Sequence, residues 1–164
     1  MATAYGTEGW TDLFVASAGA SAALTGLLFV AVSINLQRIL ELKGVPERAL
    51  QALMFLLATV VVSLIGLLPG QGATALGAEL LGIALLFGAA AWGLALRTIE
   101  PGHRAWWVLE RLALTAVATV PLVVGGASIL ARSGGGLYWI AAGVMGSIVA
   151  ASIAGWVLLV EIMR

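Results

Sequence analysis

The sequence predicts an all-α integral membrane protein, a single bundle of five transmembrane helices over residues 1–164, with the N-terminus outside and the C-terminus cytoplasmic. Three observations predict this class. The chain is 62% hydrophobic and 10% charged, with a mean hydropathy of +1.09, far from the composition of soluble domains. Apolar windows of bilayer-crossing length occur five times. Lys and Arg are distributed unevenly among the short connecting loops.

Each predicted span holds roughly 20 apolar residues, the length that crosses about 30 Å of hydrocarbon. The segments between them, "LKGVPER", "LPGQG", "IEPGHR" and "RSGGG", contain the Gly and Pro residues typical of turns. They are too short for an extramembrane domain. The spans are expected at about 12–37, 47–68, 74–97, 106–131 and 137–162.

The orientation follows from the basic residues, which mark the cytoplasmic side of short loops. With five spans, Arg132 lies on one side and every other Lys or Arg lies on the opposite side. The second group comprises Arg38, Lys43, Arg48, Arg97, Arg104, Arg111 and Arg164. The C-terminus is therefore expected in the cytoplasm.

The first helix carries two strips of small or polar residues at helical spacing. One strip contains Ser17, Ser21, Thr25, Leu28, Val32 and Asn35, and the nearly opposite one contains Gly19, Ala22, Ala23, Gly26 and Ser33. Neither strip is a natural surface for lipid, because small residues and hydroxyls favour contact between helices. The first helix is therefore expected to lie inside the assembly, contacted on two sides.

Two polar residues within the spans are candidates for function, since such groups are costly in lipid. Glu79 lies about five residues inside the outer end of the third helix. It could pair with Arg132, or attract cations at the outer mouth of an oligomer. Asn35 could form an interhelical hydrogen bond or act as a pore ligand at the inner end.

The fourth helix contains a proline followed by two glycines. Pro121 removes a backbone donor, and Gly125 and Gly126 follow one turn later, so a kink or a short broken segment is expected near mid-membrane. This feature could be a packing bend or a functional hinge.

The last helix has a ladder of small residues at four-residue spacing, a pattern typical of tight helix crossings. Its members are Gly143, Ser147, Ala151 and Gly155. They could be used inside the bundle or kept for a neighbouring subunit. Because five short-looped helices enclose little core, a homo-oligomer is expected.

Several chemistries have no residues to support them. The chain has no cysteine and one histidine, His103, in a loop, so haem ligation or a His/Cys zinc site is not expected. The net charge is zero and no basic patch suits nucleic acid. No nucleophile and base can be assembled at one membrane depth. The sequence predicts neither an enzyme nor a bound cofactor.

The stretch "WTDLFVASAGASAALTGLLFVAVSINLQRIL", continued by "GVPERALQAL" and "LLPGQG", resembles a group of small bacterial multi-span membrane proteins. Some of these are labelled modulators of a membrane-anchored AAA-type protease. The resemblance covers roughly the first 70 residues. It implies a bacterial inner membrane location and identifies no functional residue.

Two functional hypotheses follow. In the first, a homo-oligomer permits passive permeation along the strip from Ser17 to Asn35, with Leu28 and Val32 as a hydrophobic constriction and Glu79 at the outer mouth. In the second, the chain is an accessory or regulatory subunit that binds a larger membrane protein, such as a protease or transporter, through its small-residue faces. Lipid binding in an intersubunit groove is a third option.

Overall fold

The computed structural model describes residues 4–99 and 105–162, with side chains to Val160. The described chain is all-helical, and five of its helices are long and apolar enough to cross a membrane, which confirms the predicted fold class at that level. The helices are α1 (Thr11–Ile34), α2 (Leu36–Glu41), α3 (Val45–Gly66), α4 (Ala73–Arg97), α5 (Ala105–Ala131) and α6 (Leu137–Ile162).

The predicted spans match α1, α3, α4, α5 and α6 closely. The main difference is at the end of the first span, where α1 stops at Ile34 and the separate six-residue α2 follows after Asn35. The turn into α3 uses Gly44 at φ +77°, and Pro46 occupies the first helical turn. Glycine adopts this left-handed conformation without steric cost, and proline suits a helix start because its missing N–H has no partner there.

Four helices form a closed ring. In it α3 packs on α4, α4 on α5, α5 on α6, and α6 returns to α3. The short loops make consecutive long helices antiparallel, as in an up-and-down four-helix bundle. The remaining long helix, α1, lies outside this ring against α3, with a minor contact to α6.

In the single chain the first helix is therefore peripheral, and its predicted position inside an assembly stays a prediction. In its most apolar 18-residue window, α1 has 17% of its residues buried, whereas α3 has 56%. The residues that α1 buries are Phe14, Ser17 and Ser21. α3 is more buried than α1 because, among the described helices, α3 packs extensively on three neighbours and α1 on one.

Close approach at glycines holds α5 between its neighbours. A Cβ on Gly126 would lie 2.7 Å from the backbone nitrogen of Leu81 in α4, and a Cβ on Gly125 would lie 2.6 Å from Ile140 in α6. α5 continues as an α-helix through Pro121, so the expected broken segment is not found. Packing accounts for both glycines, and a hinge at Pro121, Gly125 and Gly126 stays a prediction.

A buried glutamine joins three helices of the ring. Gln51 of α3 is 6% exposed, and its Nε2 donates to the carbonyl oxygen of Ala91 in α4 at 3.1 Å and to Oγ1 of Thr115 in α5 at 2.9 Å. Buried polar groups are stable only when hydrogen-bonded. These two bonds therefore fix the rotation of α3 against α4 and α5.

We expect Gln51→Leu to lower the free energy of unfolding by about 1–2 kcal/mol, because two interhelical hydrogen bonds are lost while the apolar volume is kept. Reversible unfolding in mixed micelles would measure the change. Gln37→Leu, at an exposed position of α2, is the matched control and should change stability little. Equal effects of the two substitutions would contradict the joining role of Gln51.

Gly126→Ala should destabilise the bundle by roughly 1–3 kcal/mol, since the added methyl meets backbone that can move only with the whole of α4. Gly82→Ala in α4 is the control, because a Cβ there has no neighbour within 4 Å. It should be neutral or slightly stabilising, as alanine favours helix more than glycine does. Thermal unfolding in detergent compares the two, and a neutral Gly126→Ala would refute the tight crossing.

Candidate functional site

Half of the polar part of the predicted strip on α1 is enclosed within the chain. Ser17 and Ser21 are buried on the side of α1 that packs on α3. Thr25 and Asn35 are partly buried. Oγ1 of Thr25 donates to the carbonyl oxygen of Ser21 at 2.7 Å, and Nδ2 of Asn35 donates to that of Ala31 at 2.9 Å. Asn35 therefore bonds to the end of its own helix, and its alternative role as a pore ligand stays a prediction.

The apolar part of the strip borders a groove between α1 and α6, here called the apolar groove. Its volume is about 310 Å³. Leu28 and Val32 are partly buried there, and Gly155 of α6 lies opposite. A Cβ placed on Gly155 would lie 3.8 Å from Cδ1 of Leu28. The groove is also lined by Leu24, Leu27, Ala31, Ile39, Leu56, Ala151, Ser152, Trp156, Leu158 and Leu159. The two residues that were predicted to form a pore constriction, Leu28 and Val32, therefore border the apolar groove.

The opposite strip of α1 is open. A Cβ placed on Gly19 or Gly26 would meet nothing within 4 Å, and Ala22, Ala23 and Ser33 are exposed. With Ala16 and Ala20, which are also exposed, these small residues form what we call the outward face of α1. Within the described chain, this face is not covered by another helix.

The ladder on α6 is used inside the chain. A Cβ on Gly143 would lie 2.6 Å from Leu122 of α5, and Oγ of Ser147 donates to the carbonyl oxygen of Ala118 at 3.0 Å. Ala151 is buried in a cluster with residues of α3. The ladder therefore crosses from α5 towards α3 and α1.

Glu79 is exposed on α4 and accepts a hydrogen bond from Nε2 of Gln71 at 2.6 Å. The pairing expected with Arg132 is not made, although both residues are described. Arg132 is exposed and follows α5 with φ +51°. Gln71 is within hydrogen-bond distance of Glu79 because it lies in the loop that leads directly into α4.

Basic residues from three helices and the α2–α3 connection line one cavity, which we call the charged cleft. It has a volume of about 550 Å³ and lies between the α2–α3 connection, the end of α4 and the start of α5. Its charged lining residues are Lys43, Arg48, Arg97 and Arg111, with the carboxylates Glu41 and Glu47. The sequence predicts one membrane side for these basic residues, and the fold brings them together.

Tryptophans border the charged cleft. The guanidinium carbon of Arg48 lies 5.2 Å from the ring centroid of Trp107, within the range of cation–π attraction. Trp106 and Trp107 have ring centroids 4.6 Å apart. Tryptophan is enriched where a membrane protein meets the headgroup layer. The charged cleft therefore has the composition of an interfacial site.

A second cavity, here called the inner crevice, lies beside the charged cleft. It has a volume of about 40 Å³ and shares Arg48, Trp107 and Arg111 with the cleft. Its other walls are mostly apolar, with Phe55, Leu114, Ala150, Ile153, Ala154 and Val157 beside Gln51, Glu110 and Thr115. The three shared side chains thus have the polar cleft on one side and a small, mostly apolar space between α3, α5 and α6 on the other.

Comparison with protein-family models, with curated proteins and with solved structures found no match. The chemistry of the sites therefore rests on this chain's own residues. Among the described residues, no group of three or more His, Asp or Glu side chains is placed to hold a metal ion. His103, Arg104 and Arg164, which the sequence places near the cytoplasmic side, lie outside the described residues.

Two of the buried serines, Ser21 and Ser147, should respond differently to removal of the hydroxyl. Oγ of Ser21 is buried without a hydrogen-bond partner, so Ser21→Ala should leave stability unchanged within about 0.5 kcal/mol. Ser147→Ala loses the bond to Ala118 and should cost about 1 kcal/mol. Unfolding in mixed micelles measures both. An equal cost would mean that the Ser21 hydroxyl has a bonding role that the fold does not show.

Proposed function

We propose that this chain is a non-enzymatic multi-pass membrane protein that acts as an accessory or regulatory subunit, binding a larger membrane protein laterally through the outward face of α1. The observation that carries this proposal is the uncovered row of small residues on a helix that has only one extensive neighbour among the described helices. The resemblance of residues 10–72 to proteins labelled as protease modulators is consistent with this role.

The physical argument is that lipid does not drive helices together by the hydrophobic effect. Helices associate in a bilayer through close packing and interhelical hydrogen bonds, and small residues allow backbones to approach. Gly19-x-x-x-Ala23 and Ala22-x-x-x-Gly26 place small residues at the required spacing. A partner helix on this face could approach as closely as α6 approaches α5 at Gly143.

The proposed setting is the bacterial inner membrane, with the N-terminus outside and the C-terminus in the cytoplasm. The gathering of Lys43, Arg48, Arg97 and Arg111 at one end of the bundle supports this orientation, because Lys and Arg are enriched in cytoplasmic loops. Arg132 lies in the α5–α6 connection at the opposite end. A partner would meet the outward face of α1 within the membrane.

The geometry gives less support to permeation by a homo-oligomer. A path along the polar strip requires Ser17 and Ser21 to face water, whereas both are buried on the side of α1 that packs on α3. Permeation would therefore require α1 to separate from α3. Wild-type conductance in planar bilayers that changes on Leu28→Ser would favour permeation over the accessory role.

We expect Gly19→Ile and Gly26→Ile to abolish association with the partner while leaving the fold intact. Neither added side chain meets another atom of the chain near its Cβ, but each would hold a second helix away. Gly82→Ile is the matched control, because it adds the same side chain at an equally open helical glycine of α4. Affinity purification of the tagged full-length chain in mild detergent is the measurement.

A stoichiometric membrane protein that is recovered with the wild type and with Gly82→Ile, and lost with both α1 variants, would support the proposal. Retention of that protein by Gly26→Ile would refute the assignment of the face. Recovery of only a homogeneous self-oligomer, shown by co-purification of two differently tagged copies, would refute the accessory role.

A further inference from the structure

The charged cleft lies where the apolar exterior of the bundle ends. Leu109, one turn from Trp106 along α5, is 69% exposed, and Trp106 is 53% exposed, so lipid would contact both. Arg48 and Arg111 lie at a similar level on α3 and α5 and face the cavity. A cavity at this position is within reach of the headgroup of a neighbouring lipid.

The charge of the cleft favours an anion. Four basic side chains and two carboxylates line it, and one of the carboxylates, Glu41, is bonded to Arg38 at 3.4 Å. α3 and α5 begin here and α4 ends here, so two positive helix ends outweigh the one negative end of α4. A concave arrangement lets several cations contact the same ligand, which suits the multiple oxygens of a phosphate group.

The cleft also offers an acceptor. Oε2 of Glu47 is buried and has no hydrogen-bond partner among the described residues. Buried carboxylate oxygens are stable when they accept hydrogen bonds. A ligand that carries a hydroxyl group close to its phosphate could satisfy this oxygen while the basic residues contact the phosphate.

The apolar exterior beside the cleft supplies a place for an apolar chain. Leu109 and Trp106 of α5 are exposed there, whereas the inner crevice, at about 40 Å³, is too small for an acyl chain. A free phosphate ion would use only the cleft. A phospholipid would use both, because its acyl chains could follow the exposed surface of α5.

We infer that the charged cleft binds the phosphate group of an anionic ligand that also carries a hydroxyl, and that the attached acyl chains lie along the exposed apolar surface of α5 beside the cleft. Phosphatidylglycerol has this chemistry. Basic pockets between transmembrane helices at the cytoplasmic side are a recurrent means of holding anionic lipid headgroups. The site is separate from the outward face of α1, so the inference does not depend on the proposed partner.

The test is native mass spectrometry of the full-length protein, delipidated in mild detergent and titrated with phosphatidylglycerol or with phosphatidylcholine of the same acyl chains. We expect the first phosphatidylglycerol to bind about tenfold more tightly than phosphatidylcholine. The double variant Lys43→Gln/Arg97→Gln should weaken that binding by about tenfold, since each basic residue near the surface contributes to anionic lipid attraction. Both side chains are exposed, and the single variants should each show a smaller loss.

Arg132→Gln is the matched control, because it removes the same charge from an exposed residue at the opposite end of the protein. It should change binding less than twofold. Equal binding of the two lipids, or a loss with Arg132→Gln as large as that with the double variant, would overturn the inference. A double variant that binds phosphatidylglycerol as the wild type does would overturn it as well.

A competition arm separates the two sources of phosphate. Inorganic phosphate at millimolar concentration should not displace phosphatidylglycerol, because the acyl chains add apolar contacts that a free ion lacks. Displacement that is itself lost in Lys43→Gln/Arg97→Gln would support the phosphate site and assign it to a free anion, overturning the lipid assignment.

Discussion

The arrangement of this protein depends on the close approach of α5 to its two neighbours. At Gly126 the backbone of α4 occupies the space that a side chain would need. Gly125 and Gly143 allow α5 and α6 to approach each other closely. In lipid, helices gain little from hiding apolar surface, so close packing and hydrogen bonds must supply the stability. Once α4, α5 and α6 are fixed in this way, α3 completes the ring, and Gln51 bonds to both α4 and α5.

Closure of the ring determines what α1 can do. The space beside α3 that faces α5 is already filled, so α1 packs on the outer side of α3 and buries its serines there. Its glycine-containing face then has no neighbour among the residues that the structure describes. The lateral role proposed above follows from this geometry, since a helix whose second small-residue face is uncovered is suited to receive another helix.

The same closure creates the charged cleft. The start of α3, the end of α4 and the start of α5 meet at one end of the ring, and four of the chain's eight basic residues line the cavity there. In the proposed membrane setting, the cleft lies at the headgroup level and the outward face of α1 lies at the hydrocarbon level. A lipid held in the cleft and a protein held on α1 would therefore not compete, and the two proposals can fail independently.

The sequence by itself determined the five long helices, with bounds within about three residues of those observed, because span length and apolar composition are local properties set by bilayer thickness. It also identified which residues share a helix face. Only the tertiary structure decided which neighbour packs on each face. Ser21 packs towards α3, Gly126 packs on α4, and Gly26 packs on none of the described residues. Gln51 was missed, although a lone amide within an apolar span is a readable signal. The reason is that helical periodicity orders residues around one axis, whereas the choice of partner depends on the packing of all the helices at once.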